Sequence, residues 1–398
     1  MGTMLSLEEA QTRLLASVTP LGREVLKSGD AAGRILAEEL VAQRTQPAAD
    51  LSAMDGYALR EGENGPWKVI GESAAGHPFE DNVGPGEAIR ISTGAFMPQG
   101  AGTVLLQENA IREGNTLSLN GEGEPTPRHI RRAGFDFRKG DGLLEAGTRL
   151  TPARIALAIA SGHATIPVNC LPKVAIIDSG DELSADPAGC SPHQIPASNS
   201  PMLTAMVDGL AGEILRLGPV KDDLDAFAGA LQQASDVDVV VTSGGASVGD
   251  HDLVKPALEA WGAEIDFWKV AMKPGKPLLV ARKGEQYVLG LPGNPVSSFV
   301  TAYLFLLPLL RVLAGSRNPL PRAIPVPCDG ELPQGGSRLE FRRAVIANGM
   351  VTPIGEQDSS AMRALAAANA LILRPAGAKA VKAGTPVPVY LLENGGNA

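Results

Sequence analysis

The spacing of apolar and polar positions changes character several times along the chain. LSLEEAQTRLLASV (5–18) has helical spacing, Thr19-Pro20 breaks it, and GDAAGRILAEELVA (29–42) predicts a second helix. From about 47 to 147 the texture is short and alternating. WKVI (67–70), AIRIS (88–92), GTVLLQ (102–107) and TLSL (116–119) stand between Gly and Pro residues, as expected of short strands and hairpins. TPARIALAIASGHA (151–164) returns to helix, with Pro152 suited to a first turn.

Beyond Pro172, longer buried strands alternate with helices. KVAIIDSG (173–180), VDVVVTSGG (237–245) and YVLGLPGNP (287–295) read as strands ending in Gly or Pro-Gly. Helices are predicted over 199–217, with GEILRLGPV (212–220) as its tail and the next strand, and over DDLDAFAGALQQAS (222–235), DLVKPALEAWG (252–262) and VSSFVTAYLFLLPLLRVLAG (296–315). Such alternation predicts a parallel sheet covered on both faces. SRNPLPRAIPVP (316–327) is a proline-rich linker, and 322–394 reads as a second β module.

The expected fold class is therefore α/β multidomain. A helical framework (1–46 and 140–171) carries an inserted β module (47–139), followed by a parallel-sheet α/β domain (172–316) and a C-terminal β-barrel-like domain (322–398).

Composition narrows the class of function. With 398 residues, two to four domains are expected. A net charge of −9 argues against bulk binding to nucleic acid or anionic membrane, so an anion site has to be a local concentration of lysine and backbone N–H. Cys170, Cys190 and Cys328 lie far apart with no metal or disulfide spacing, which fits a reducing compartment. The five histidines show no ligand spacing either. No signal peptide is visible, and the apolar run 299–313, interrupted by Pro308 and Arg311, reads as a buried helix; the expected location is the cytoplasm.

In open parallel sheets, ligands bind at the carboxyl ends of the strands. The loops expected there are DSGDEL (178–183), KDD (221–223), SGGASVGDHD (243–252), KPGKP (273–277) and LPGNPVSS (291–298). Gly244 and Gly245 can turn backbone N–H groups towards an oxyanion, and Ser297 and Ser298 are candidate donors in a helix's first turn. Lys269, Lys273 and Lys276 crowd into eight positions stiffened by Pro274 and Pro277, a frame that a solvated surface turn does not need. Asp181, Glu182, Asp222, Asp223, Asp250 and Asp252 share these loops. Carboxylates beside a phosphate repel it unless a hard cation intervenes, which suggests Mg²⁺ at Glu182 and Asp252, whereas Asp222 or Asp223 could simply cap a helix.

SAMDGYALR (52–60), ISTGAFMPQGAGTVLLQEN (91–109), SGDEL (179–183), TSGGASVGDHD (242–252), WKVAMKPGKP (268–277) and GLPGNPVSS (290–298) occur in order. Together they closely resemble the MoeA-type molybdopterin molybdenumtransferases, whose animal relative is the C-terminal part of gephyrin. The likeness runs from about residue 6 to the C-terminus.

The resemblance implies insertion of molybdenum from molybdate into adenylylated molybdopterin with release of AMP. It also implies Mg²⁺ and a homodimer in which the β module of one copy faces the sheet domain of the other. Further implied partners are the adenylyltransferase and apo-molybdoenzymes. By position it assigns catalytic roles to Asp55, Asp136, Glu182, Asp222 and Asp252, the last three as metal ligands. Substrate binding falls to Thr93, Gly244, Gly245, Ser247, Lys269, Lys273, Lys276, Pro292, Gly293, Asn294, Pro295 and Ser297.

The chain departs from the family pattern at Phe135, where an acid is usual, at Gly102, at Pro196-Ala197, and at Arg363-Ala364. A cofactor carrier and a molybdopterin adenylyltransferase are the competing readings. Retention of the acids and of both KPGK lysines favours the transferase over a carrier, and the two β modules favour it over the adenylyltransferase.

Overall fold

The computed structural model describes residues 4–244 and 253–392. The chain forms two compact units, one of Met1–Glu24, Gly33–Ala37 and Val168–Ala398, the other of Val25–Ala32 and Glu38–Pro167.

The first unit opens with helix α1 (Leu7–Leu15), started by a capping box in which Ser6 Oγ accepts from Glu9 N and Glu9 accepts from Ser6 N. Its main sheet contains β1 (Lys173–Ser179), β2 (Glu213–Val220), β3 (Val239–Ser243), β4 (Glu264–Lys269), β6 (Pro277–Lys283) and β7 (Gln286–Leu291). Between β4 and β6 lies the two-residue β5 (Met272–Lys273), which joins a different sheet. The strand order is β2-β1-β3-β7-β6-β4.

The four strands from β2 to β7 run parallel, and β6 runs antiparallel to its neighbours β7 and β4. The apolar runs of β1 and β3 are wholly buried, as strands covered on both faces require. Val174 and Ile176 pack on one side with Val239, Val241, Leu289 and helix α2 (Asn199–Val207). Ala175, Ile177, Val240 and Val288 pack on the other, with α3 (Leu224–Gln233) and α4 (Val254–Ala260).

The long apolar segment is helical from Pro295 to Leu313 (α5), with a π-helical stretch at Ala302–Leu306. It is long and apolar enough to cross a membrane, yet 89% of it is buried within the protein, as the core-helix reading expects. Each fully buried leucine in it stabilises the fold by roughly 2 kcal/mol.

A second sheet, in the order β5-β9-β11-β12-β8, uses β8 (Ile324–Pro327), β9 (Leu339–Ala347), β11 (Ala370–Arg374) and β12 (Pro386–Leu391), with β10 (Met350–Pro353) paired to β9. Met272 and Lys273 pair in parallel with Leu339 and Glu340. The lysine loop thereby belongs to both sheets.

The other unit is built on a six-stranded sheet containing Gly56–Leu59, Trp67–Ser73, Glu87–Ile91 and Thr103–Leu106, with one core of Trp67, Leu59 and Leu105 and a second of Ala58, Ile89 and Val104. Pro152–Ala160 is helical as expected.

Two local expectations fail. The 29–42 stretch is not a helix: Gly33 takes φ 78°, Leu36 bridges to Val168, and Leu40–Val41 pairs with Gly142–Leu144. Its apolar residues follow a helical period but are buried from an extended chain. The helix expected over 199–217 stops at Val207, and Glu213–Val220 is strand β2, because its backbone is needed to pair with β1.

Candidate functional site

The sheet's topology brings the predicted loops to one edge. β1, β2, β3 and β7 are parallel, so 180–183, 221–223, Gly244 and 292–295 all follow carboxyl ends. The lysine loop joins them because β6 runs antiparallel to β7 with Leu279 opposite Gly290, so the start of β6 sits at the end of β7.

A cleft of about 660 Å³ opens there, lined by Lys273, Lys276, Pro292, Asn294 and Ser297 from the sheet edge. Lys273 and Lys276 are both exposed. Their frame is tight: Gly275 has φ 96°, and a Cβ there would come within 2.6 Å of Thr301 Cγ2. Only glycine fits that approach. Pro295 begins α5, and Gly293 packs beside Gly244, where a Cβ would collide with the Ser179 carbonyl. Ser298, also expected as a first-turn donor, is wholly buried and does not line the cleft. Lys269 is half-buried at the end of β4, does not line the cleft, and its carbonyl accepts from Leu5 N.

The opposite wall comes from the C-terminal sheet, and sequence reasoning missed it. Arg338, Glu340, Arg342, Glu356, Gln357, Asp358 and Ser359 line the cleft. Four cationic side chains, with Lys273 and Lys276, face three acidic ones. The 354–360 loop is pinned from beneath by Arg343, only 1% exposed, whose guanidinium donates to Asp358 O (2.9 Å) and Glu356 O (3.0 Å). Gln357 Nε2 donates to Ile354 O (2.6 Å) and Arg343 O (3.0 Å).

Across the cleft, Asn294 Nδ2 donates to Ser359 Oγ (3.0 Å) and Val296 N to Ser359 O (3.2 Å). Two hydrogen bonds from Ser360 and the nearby Arg343 guanidinium hold the Asp358 carboxyl below its usual range. A signal was available in the polar run DSS (358–360) between two apolar strands, but nothing local tied it to the lysines.

The acids form a neighbouring group. Asp222 N donates to Asp181 Oδ1 (3.2 Å), which links the loops after β1 and β2. The Glu182 carboxylate folds back over Gly180. Asp223, not Asp222, caps α3 by accepting from Ala226 N at 2.9 Å, so capping leaves Asp222 available. Gly245, Ser247, Asp250 and Asp252 lie outside the described residues. Among the described residues no three His, Cys, Asp or Glu side chains converge as a ready-made metal site. Even so, the exposed carboxylates of Glu182 and Asp222 are hard oxygen donors on adjoining loops. Such a pair, completed by substrate phosphate oxygens, suits Mg²⁺.

In the other unit, the structure joins Asp55 with Thr93. Thr93 N donates to Asp55 Oδ1 (2.6 Å) and Gln107 N to Asp55 O (3.2 Å). The Thr93 hydrogen bonds, aided by the nearby Arg90 charge, hold the Asp55 carboxyl below its usual range. Arg90 is fixed by donating to Gly56 O (2.8 Å) and Gln107 Oε1 (2.7 Å) and by stacking over Tyr57. Asp136 is exposed on a separate turn, where its N–H donates to Gln46 O (3.1 Å), and Phe135 beside it is 75% exposed.

Family models match in three consecutive blocks. The MoeA N-terminal region (domains I and II) covers 5–162, a probable molybdopterin-binding domain covers 175–312, and the MoeA C-terminal region (domain IV) covers 325–392. A molybdopterin molybdenumtransferase of Haemophilus influenzae is 34% identical over 97% of this chain and 98% of its own length. The chain belongs to the MoeA family of molybdopterin molybdenumtransferases. The enzyme of that name from Bacillus subtilis is 34% identical over 92% of this chain and 89% of its own. Among solved structures, the molybdopterin biosynthesis moeA protein of Pyrococcus horikoshii superposes with a TM-score of 0.83 at 29% identity, over 98% of this chain and all of the other. The cleft wall from the C-terminal sheet lies in the domain IV block, and the lysine loop in the molybdopterin-binding block.

Proposed function

We propose that this protein is a molybdopterin molybdenumtransferase, which takes adenylylated molybdopterin and molybdate, releases AMP, and leaves molybdenum on the pterin dithiolene. The observation that carries this reading is the cleft where Lys273, Lys276, Arg338 and Arg342 gather within an acidic protein whose whole length aligns with the family.

The chemistry follows from the charges. Molybdate and the substrate phosphates are anions, and lysine and arginine clustered on rigid turns attract them without reorganising. Water adds to phosphorus, the phosphoanhydride bond breaks, and AMP leaves with molybdopterin phosphate freed. The dithiolene thiols replace oxygens of molybdate, and their protons leave with those oxygens as water. Asp55, held ionised by Thr93, is suited to orient a water or accept its proton.

Glu182, Asp222 and Asp252 would hold Mg²⁺, which when bound offsets phosphate charge beside these acids. By family position, Asp136 has a catalytic role, and Gly244, Gly245, Ser247, Gly293 and Pro295 bind substrate. The four-part domain division, a homodimer that brings the Asp55 corner of one copy to the sheet edge of another, and a cytoplasmic site of action belong to the same proposal. So does delivery to apo-molybdoenzymes.

The test is direct: purified protein is given adenylylated molybdopterin, Mg²⁺ and molybdate, and AMP is measured. Release of AMP with molybdenum bound to the pterin supports the reading. Tight pterin binding without AMP release would make the protein a carrier.

A further inference from the structure

Helix α2 begins without a local cap. Its N-cap residue, Ser198, makes no side-chain hydrogen bond to the first turn. The Ser200 N–H, which such a cap would normally satisfy, donates instead to Asp178 Oδ2 at 2.9 Å, from a residue 22 positions earlier in the chain. Asp178 is the penultimate residue of β1, lies opposite Ser243 at the end of β3, and is 2% exposed. It follows Val174 and Ile176 on the face that packs against α2, which places its carboxylate under the start of that helix. A carboxylate there is favoured by the helix's own dipole.

The first residue of α2, Asn199, carries the connection onward. Its Nδ2 donates to Ser243 Oγ at 2.8 Å and to Gly293 O at 2.7 Å. Both protons of one amide are thus spent holding the end of β3 and the turn after β7. Gly293 packs beside Gly244, and the next residue, Asn294, holds Ser359 across the cleft.

We propose that Asp178 and Asn199 form a positioning strut for the substrate cleft. Asp178 fixes the start of α2, and Asn199 transmits that position to the 292–297 turn that lines the cleft with Lys273 and Lys276. Neither side chain is among those lining the cleft, so neither is a catalytic residue. The strut rests on the transferase reading only for its kinetic consequence; its mechanical part stands without it.

Two readouts separate these parts. Hydrogen exchange of the peptide covering 290–298 needs no substrate. Asp178→Ala removes the acceptor and should speed exchange there roughly tenfold, with 339–353 unchanged, whereas Asp178→Asn keeps an acceptor for Ser200 N–H and should remain within about threefold of wild type. In the AMP-release assay, Asp178→Ala should raise KM for adenylylated molybdopterin about tenfold with kcat within about twofold, and Asp178→Asn should restore KM. Asn199→Ala should do the same as Asp178→Ala, and the double variant should be no worse than about twice the worse single one, because both act through one chain of contacts.

If Asp178→Ala does not fold, Asn199→Ala carries the test alone. Unchanged exchange at 290–298 in folded Asn199→Ala or Asp178→Ala overturns the strut, as does equal impairment by the Ala and Asn substitutions at 178. Altered exchange with a wild-type protein that releases no AMP would leave the strut standing and sink the transferase reading.

Discussion

The rim and the floor of the same sheet edge use charge in opposite ways. At the rim, Lys273 and Lys276 stand in water, and the chain beneath them is stiffened by Pro274, Gly275 and Pro277. At the floor, Asp178 is buried, and its carboxyl oxygen does the stiffening by accepting from the first turn of a helix. An exposed charge on a rigid frame can be spent on a ligand, because water already solvates it and little folding energy depends on it. A buried charge is committed to the fold. The Asp55 corner follows the rim's logic in the other unit: the carboxylate is exposed, and only its orientation is fixed, by Thr93.

If this contrast is sound, removing an exposed charge damages activity and spares stability, whereas neutralising the buried Asp178 changes stability in a pH-dependent way. The largest expected effect is at Asp55. Asp55→Ala should lower the rate of AMP release about 10³-fold, roughly 4 kcal/mol of transition-state stabilisation, while the thermal midpoint moves by no more than about 2 °C. A collapse of folding would erase the contrast.

Next comes Asp178→Asn. Burial raises the Asp178 carboxyl from its ordinary 3.8 to about 6, against the opposing pull of Ser200 N–H and Arg216. The native protein therefore holds this proton more tightly than the unfolded chain does. The stabilising share of that proton is complete below about pH 4 and is lost as pH rises through 6, a cost of at most about 3 kcal/mol above it. Asp178→Asn should consequently be more stable than wild type at pH 8 and equal to it near pH 4, measured by denaturant unfolding at both. A gain that is the same at both pH values would mean the buried carboxylate does not titrate in this window.

Gly275→Ala sharpens the account of the rim frame. With φ 96° and the close approach to Thr301, it should cost about 2 kcal/mol of stability and displace both lysines. A fully stable variant with normal KM would show that the frame is not as tight as its geometry implies. The smallest effect is at Lys273→Ala, a loss of about tenfold, or 1.4 kcal/mol, in molybdate affinity at low salt that shrinks at high salt, with unfolding unchanged. A salt-independent loss would argue against screened attraction.

The sequence by itself determined the alternating strands and helices of 173–315, because buried parallel strands and their covering helices leave long, uninterrupted apolar runs. It also marked the KPGKP and LPGNPVSS turns, since Gly and Pro restrict the backbone locally whatever surrounds them. It misread 29–42 and 208–217, where apolar spacing satisfied a helix but the backbone's hydrogen bonds were taken by strands distant in the chain.

Only the tertiary structure decided that the 338–342 and 356–359 segments face the lysines and that Asp178 serves a helix beginning 21 residues later. These depend on which groups meet after the sheets form, through hydrogen bonds spanning tens of residues, and no local pattern of residues encodes such a meeting.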